Sequence, residues 1–131
     1  MSKRKILIID DDPDINNLFK LFLEYDGYKV NAYMDPLDAL YAFRKNTFDL
    51  VLLDLKMPKM SGMLLYHKLR NLDPNLLFCF ITADKEYIKH LKKSIGEIEK
   101  IVIYKPILLR DLRSKVNSGI SEKKSKLMIM A

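Results

Sequence analysis

The chain is poor in the residues that staple, hinge or break a fold. Its 131 residues include one cysteine, no tryptophan, four glycines and five prolines. A single Cys79 excludes an internal disulfide framework and any cysteine-built metal centre. It sits in the apolar run from Leu76 to Ile81 and reads as a buried, inert thiol. There is no low-complexity segment and no internal repeat beyond a strand–helix unit. Long hydrophobic runs are also missing, and nothing approaches the roughly 18 apolar residues of a membrane span. The basic start Met1-Ser2-Lys3-Arg4-Lys5 leads only into Ile6–Ile9 before Asp10, Asp11 and Asp12, too short a core for a signal peptide. A cytoplasmic protein with no membrane association is therefore expected. His67 and His90 have no second His or Cys at ligand spacing, so neither is given a role.

What is present points to one domain. Hydrophobic residues make up 49% and charged residues 31% of the chain, enough for a single core under a solvated surface. Lys and Arg exceed Asp and Glu by 23 to 17, for a net charge of +6. The densest basic groups, Lys89–Lys93 and Lys123–Lys126, are not interleaved with aromatics, so the excess reads as a solvated surface rather than a nucleic-acid face.

Along the chain, short apolar runs alternate with segments of helical spacing. Lys5–Ile9, Tyr28–Tyr33, Phe48–Leu53, Leu76–Ile81 and Lys100–Tyr104 read as strands. Between them, apolar stripes fall at Ile15, Leu18, Phe19 and Phe22, at Leu37, Leu40 and Tyr41, at Leu65, Leu69 and Leu72, and at Ile88, Leu91 and Ile95. A last stripe uses Leu109, Leu112 and Val116. Asp12-Pro13 and Asp35-Pro36 are cap-then-proline helix starts, and Asp84 is a further cap. Gly119 is expected to end the fifth helix, which makes residues 1–119 the domain and residues 120–131 a basic, mobile tail. Five alternating strands and helices predict an α/β three-layer sandwich with a parallel sheet, in the flavodoxin-like strand order 2-1-3-4-5.

Ligands of such sheets bind at the carboxyl ends of the strands. Here those ends carry Asp10 and Asp11, Asp54, Thr82 and Lys105. Taken singly, each is an ordinary cap, strand terminus or solvated lysine. Their joint placement at four strand ends is not explained by capping. Clustered carboxylates repel one another unless they are paired or hold a metal, and an all-oxygen set favours Mg²⁺. Mg²⁺ uses one or two carboxylates, which leaves another as a nucleophile towards phosphorus. A lysine ammonium and a hydroxyl are the groups that would neutralise the remaining phosphoryl oxygens.

These segments resemble the response-regulator receiver domains of two-component signalling. Ile6–Asp12 is similar to their first strand and acidic pair. The segment Asp49–Gly62, with Asp54, Met57-Pro58 and Gly62, resembles their phosphorylation segment. Ile81-Thr82-Ala83 and Tyr104-Lys105-Pro106 match their Thr-Ala and Lys-Pro signatures, and the resemblance runs from about Lys5 to Val116. It implies that Asp54 accepts the phosphoryl group, with Thr82 and Lys105 contacting it. It implies a Mg²⁺ site, open to Mn²⁺ or another divalent cation, made by Asp10, Asp11, Asp54 and the backbone carbonyl of Lys56. Ala83, Asp84, Val102 and Pro106 fall at positions that switch the domain or tune its lifetime, and the bond before Pro106 is commonly cis in the family. The implied donor is a phosphohistidine on a histidine kinase or phosphotransfer protein. The implied output is a downstream protein, or a phosphorylation-dependent homodimer, on the face of the fourth helix, fifth strand and fifth helix.

Two departures concern that output face. Val102 stands where receivers usually carry Tyr or Phe, and Ser94–Lys100 replaces the usual Gly-Ala step after the fourth helix. The expectation is a stand-alone switch without a DNA-binding domain of its own, catalysing only its own phosphorylation and dephosphorylation. A phosphohydrolase is the enzymatic alternative, but Asp54-Leu55-Lys56 lacks its second acid. A receiver-like binding protein that works without phosphorylation is the other alternative. A flavodoxin-like electron carrier is disfavoured by Asp10, Asp11 and Asp12, which would repel a phosphate after the first strand.

Overall fold

A computed structural model describes residues 3–93 and 101–130, with the backbone alone over 123–130. The elements in order are β1 (Lys5–Ile9), α1 (Pro13–Tyr25), β2 (Lys29–Tyr33), α2 (Pro36–Ala42), β3 (Leu50–Asp54), α3 (Gly62–Leu72), β4 (Leu77–Thr82), α4 (Lys85–Leu91), β5 (Val102–Tyr104) and α5 (Leu109–Met130). Every strand pairing is parallel, and the order is β2-β1-β3-β4-β5. This is the expected α/β fold.

The central strands are apolar on both faces because both are covered. Leu7, Ile9, Val51, Leu53, Phe78 and Phe80 face Ala39 and Phe43 from the α2 region, Leu65 and Leu69 of α3, and Ile88 of α4. The alternate residues Ile6, Ile8, Leu50, Leu52, Cys79 and Ile81 face Phe19 and Leu23 of α1 and Leu112 and Val116 of α5. Each such side chain contributes roughly 1.5–3 kcal/mol on burial. Four helices start on a side-chain cap: Asp12, Asp35, Ser61 and Asp84 each accept a backbone N–H of the first turn.

The helical stripes differ in detail from the sequence expectation. Leu18, Leu37, Tyr41 and Leu72 are exposed, while Leu23, Ala39 and Phe43 are buried. In α1 the inward face includes Asn16, whose side chain is turned towards the strand ends. The expected end of α5 at Gly119 is corrected, since the helix continues to Met130. A Cβ at Gly119 would lie 3.1 Å from Leu50 Cδ1, so this glycine permits close helix–sheet packing instead of ending the helix. Ile120 also packs on the α1/α5 core, so the boundary drawn after residue 119 falls inside one continuous helix. Ile95 and the joint Ser94–Lys100 lie outside the described residues. Among the described residues, no helix is long and apolar enough to cross a membrane.

Candidate phospho-acceptor site

Strand register assembles the site. Ile9 pairs with Leu53, so Asp10 and Asp54 emerge side by side from β1 and β3. Thr82 ends β4 opposite Tyr104, and the Thr82 carbonyl accepts the N–H of Lys105 at 2.9 Å. Carboxylate oxygens of Asp10, Asp11 and Asp54 all lie within 4.8 Å of one another. Asp10 is fully buried, Asp54 is 3% exposed and Thr82 2%, whereas Asp11 faces solvent.

One cation serves the two buried acids. Lys105 Nζ lies 3.4 Å from Asp10 Oδ2 and 3.5 Å from Asp54 Oδ2. Their other oxygens accept backbone N–H groups, Asp10 Oδ1 from Asp12 at 2.9 Å and Asp54 Oδ1 from Lys56 at 3.1 Å. Thr82 Oγ1 accepts the N–H of Asp84 at 3.1 Å. Asp84 caps α4 through the N–H of Tyr87 at 2.9 Å, and its other oxygen receives Lys56 Nζ at 2.6 Å. That ion pair bridges the loops after β3 and β4 beside a cavity of about 560 Å³.

Gly62 holds the acceptor loop against its own strand. Its N–H donates to the Leu55 carbonyl at 3.0 Å. A Cβ there would lie 2.6 Å from Leu55 Cα and closer still to the Asp54 carbonyl oxygen, so any side chain would push the loop off the acceptor.

The electrostatics are short of positive charge. Burial, then the charge of Asp10, push the Asp54 carboxyl up to about 7, against the opposing pull of the Lys56 N–H and Lys105. Burial likewise raises Asp10. Burial disfavours the charged form of Lys105, but Asp10 and Asp54 outweigh it and hold the ammonium above its ordinary value. Asp10 Oδ2 is buried and has no hydrogen-bond donor; its contact with Lys105 is an ion pair only. Three acids, one ammonium and an undonated carboxylate oxygen suit a hard divalent cation.

The expected residues therefore converge. Asp11, Asp54, Lys56, Thr82, Ala83, Asp84 and Lys105 line the cavity, with Asp10 buried against Lys105. The Lys105–Pro106 bond is cis, and Pro106 is exposed. Val102 does not reach the cavity, being buried in the core opposite Phe80. Three residues escaped the sequence reading. Lys85 and Glu86 line the cavity because α4 starts at its rim. Tyr104 lies opposite Thr82 with Lys85 Nζ 5.5 Å from its ring centre. Strand alternation from Val102 could have placed that ring on the same face, one step nearer the site. Cys79 is inert as expected, burial pushing its thiol up to about 12.

The family model for the response regulator receiver domain matches residues 6–117. The chain belongs to the response regulator receiver family. The receiver protein CpdR of Brucella abortus is 30% identical over 86% of this chain and 93% of its own length. A CheY-like receiver domain protein from Methanospirillum hungatei superposes with a TM-score of 0.82 at 29% identity, over 95% of this chain and 99% of that one. The regulator TrrA of Thermotoga maritima, solved in complex with Mg²⁺-BeF, gives 0.74 at 26% identity over 88% and 98% of the two chains. Against three curated transcriptional regulatory proteins, TcrX of Mycobacterium tuberculosis, RprY of Bacteroides fragilis and YkoG of Bacillus subtilis, the chain spans only 33%, 49% and 55% of their length.

Proposed function

We propose that this receiver takes a phosphoryl group onto Asp54 from a phosphohistidine, with a divalent cation held by Asp10, Asp11, Asp54 and the Lys56 carbonyl, and thereby changes what it binds. The observation that carries the reading is the charge shortage at Asp54: a buried carboxylate beside Asp10 with one shared lysine. The Mg²⁺-BeF complex of TrrA supports the same use of the site.

An Asp54 oxygen attacks phosphorus as the phosphorus–nitrogen bond of the donor breaks and the imidazole departs. Phosphoryl transfer asks the protein for positioning and neutralisation rather than covalent help. Lys105 reaches both buried acids and can follow the charge as it moves outward onto the phosphoryl oxygens. The Thr82 hydroxyl, on the cavity wall, moves to donate a hydrogen bond to the same group. When bound, the cation would supply Lewis-acid neutralisation of phosphoryl oxygens, beside the ammonium groups of Lys105, Lys56 and Lys85 on the cavity wall.

Such a protein turns over no external metabolite and is a switch in a cytoplasmic phosphorelay. Its donor is a histidine kinase or phosphotransfer protein. Its output uses the face of α4, β5 and α5, towards a downstream protein or a second receiver. With Val102 in the core, the signal leaves by backbone shifts of the loop after β4 and of α4. The test is intact mass after acetyl phosphate with Mg²⁺. A single phosphoryl adduct that disappears with chelator and in Asp54→Asn is expected; an adduct that persists in Asp54→Asn would overturn the assignment.

A further inference from the structure

Asn16 is out of place as a helix residue. It lies in the first turn of α1, it is 4% exposed, and asparagine neither favours helix interiors nor gains from burial. A packing position would be better served by leucine. Its carboxamide is instead committed to two carbonyls. Asn16 Nδ2 donates to Asp10 O at 2.8 Å and to Tyr33 O at 3.2 Å. Tyr33 O also accepts the N–H of Asp10 at 3.2 Å. The side chain thus ties α1 to the ends of β1 and β2 at the peptide that leads from Asp10 into Asp11. Asn16 Oδ1 is buried without a hydrogen-bond partner, a cost that packing alone would not require.

We propose that Asn16 is a positioning residue for the acidic pair: by holding the Asp10 carbonyl it sets the direction in which Asp11 presents its carboxylate to a divalent cation. The inference rests on the reading of Asp10, Asp11 and Asp54 as a cation site. Asp10 is held on several sides, by the Asp12 N–H, by Lys105 and by burial. Asp11 is exposed, and its aim depends on the backbone on either side of it. The Asp12 N–H closes that turn from beyond Asp11, and Asn16 closes it from the Asp10 carbonyl. Fixing the turn in advance removes an ordering cost from cation binding. Partners that orient a metal ligand in this way typically change affinity by about 10- to 100-fold when removed.

The test is Asn16→Leu, which keeps bulk and removes both donations. Mg²⁺ affinity is measured by calorimetry, with melting in chelator as a control for folding. The Mg²⁺ dissociation constant should rise roughly tenfold, and the Mg²⁺ concentration for half-maximal phosphorylation should rise by the same factor. The rate at saturating Mg²⁺ should stay within about twofold, because the acceptor itself is untouched. A dissociation constant unchanged from that of the native chain, whatever the melting temperature, would overturn the proposal. Should Asn16→Leu not fold, NMR of the native chain decides. The Asn16 side-chain amide protons should shift with Mg²⁺ in step with the Asp11 backbone amide, and amide protons that stay still while Asp11 titrates would overturn it. A native chain that binds no Mg²⁺ would instead remove the cation-site reading beneath it.

Discussion

Asp49 and Asp54 sit at opposite ends of the same buried run and are treated in opposite ways. Asp49, just before β3, accepts the Lys5 N–H at 2.8 Å and has Arg4 Nη1 at 3.4 Å. Its own N–H and carbonyl continue the sheet, to Lys5 at 2.8 Å and from Leu77 at 3.3 Å. It is half-buried, with a cation of its own. Asp54 is buried, accepts one N–H, and among the described residues shares its one ammonium with Asp10. At the amino end of the strand a carboxylate is a fastener. At the carboxyl end it lacks sufficient counter-charge, and that shortage is what a cation or a phosphoryl group can act on.

Substitution separates the two. Asp54→Asn should abolish the phosphoryl adduct, whereas Asp49→Asn should form it at nearly the native rate; intact mass after acetyl phosphate with Mg²⁺ checks both. The next largest effect is expected at Asp11→Asn, which should weaken Mg²⁺ by about tenfold or more in a calorimetric titration while leaving the fold intact. An unchanged affinity would remove Asp11 from the cation site.

Melting against pH sharpens the contrast further. The folded-state pKa of Asp54, about 7, lies above its ordinary value of 3.8, so the folded chain binds the extra proton. That stabilisation is complete below the ordinary value and is lost as pH rises through about 7. Without metal, the chain should lose on the order of 3–4 kcal/mol from this source between pH 4 and 8. Mg²⁺ or Asp54→Asn should flatten the loss, and a melting profile that does not respond to either would contradict it.

Smaller effects belong to the fasteners. Asp49→Asn should cost about 1 kcal/mol in denaturant unfolding, the usual worth of a partly exposed hydrogen bond and ion pair. Lys56→Ala should change stability by well under 1 kcal/mol, because the Lys56–Asp84 pair is largely exposed. A change in the decay rate of the Asp54 adduct is its expected signature, read by loss of the mass shift with time.

Much of the fold was legible because β1, β3 and β4 are apolar on both faces, a pattern that only a doubly covered sheet explains. The strand-end acids and Lys105 were legible because strand ends are marked by abrupt changes from apolar to polar. Helix faces were read less well. In α2 Leu40 packs on the core as expected, but Leu37 and Tyr41 face outward and Pro36 and Ala39 are buried instead, because a seven-residue helix offers too few turns to define its inward side. Gly119 and Asn16 were missed for a shared reason. Glycine reads as a helix end and asparagine as a surface residue until the neighbour is known, here Leu50 for one and the Asp10 carbonyl for the other.

The local sequence by itself determined where strands end, which helices carry caps, and which residue types stand at the sheet's carboxyl edge, because these depend on adjacent residues. Only the tertiary structure decided that Asp10 and Asp54 share one lysine, that Lys56 and Asp84 bridge two loops, and that Asn16 faces inward. Those outcomes depend on the packing of segments distant in sequence, where burial strips water from some charges and leaves it on others.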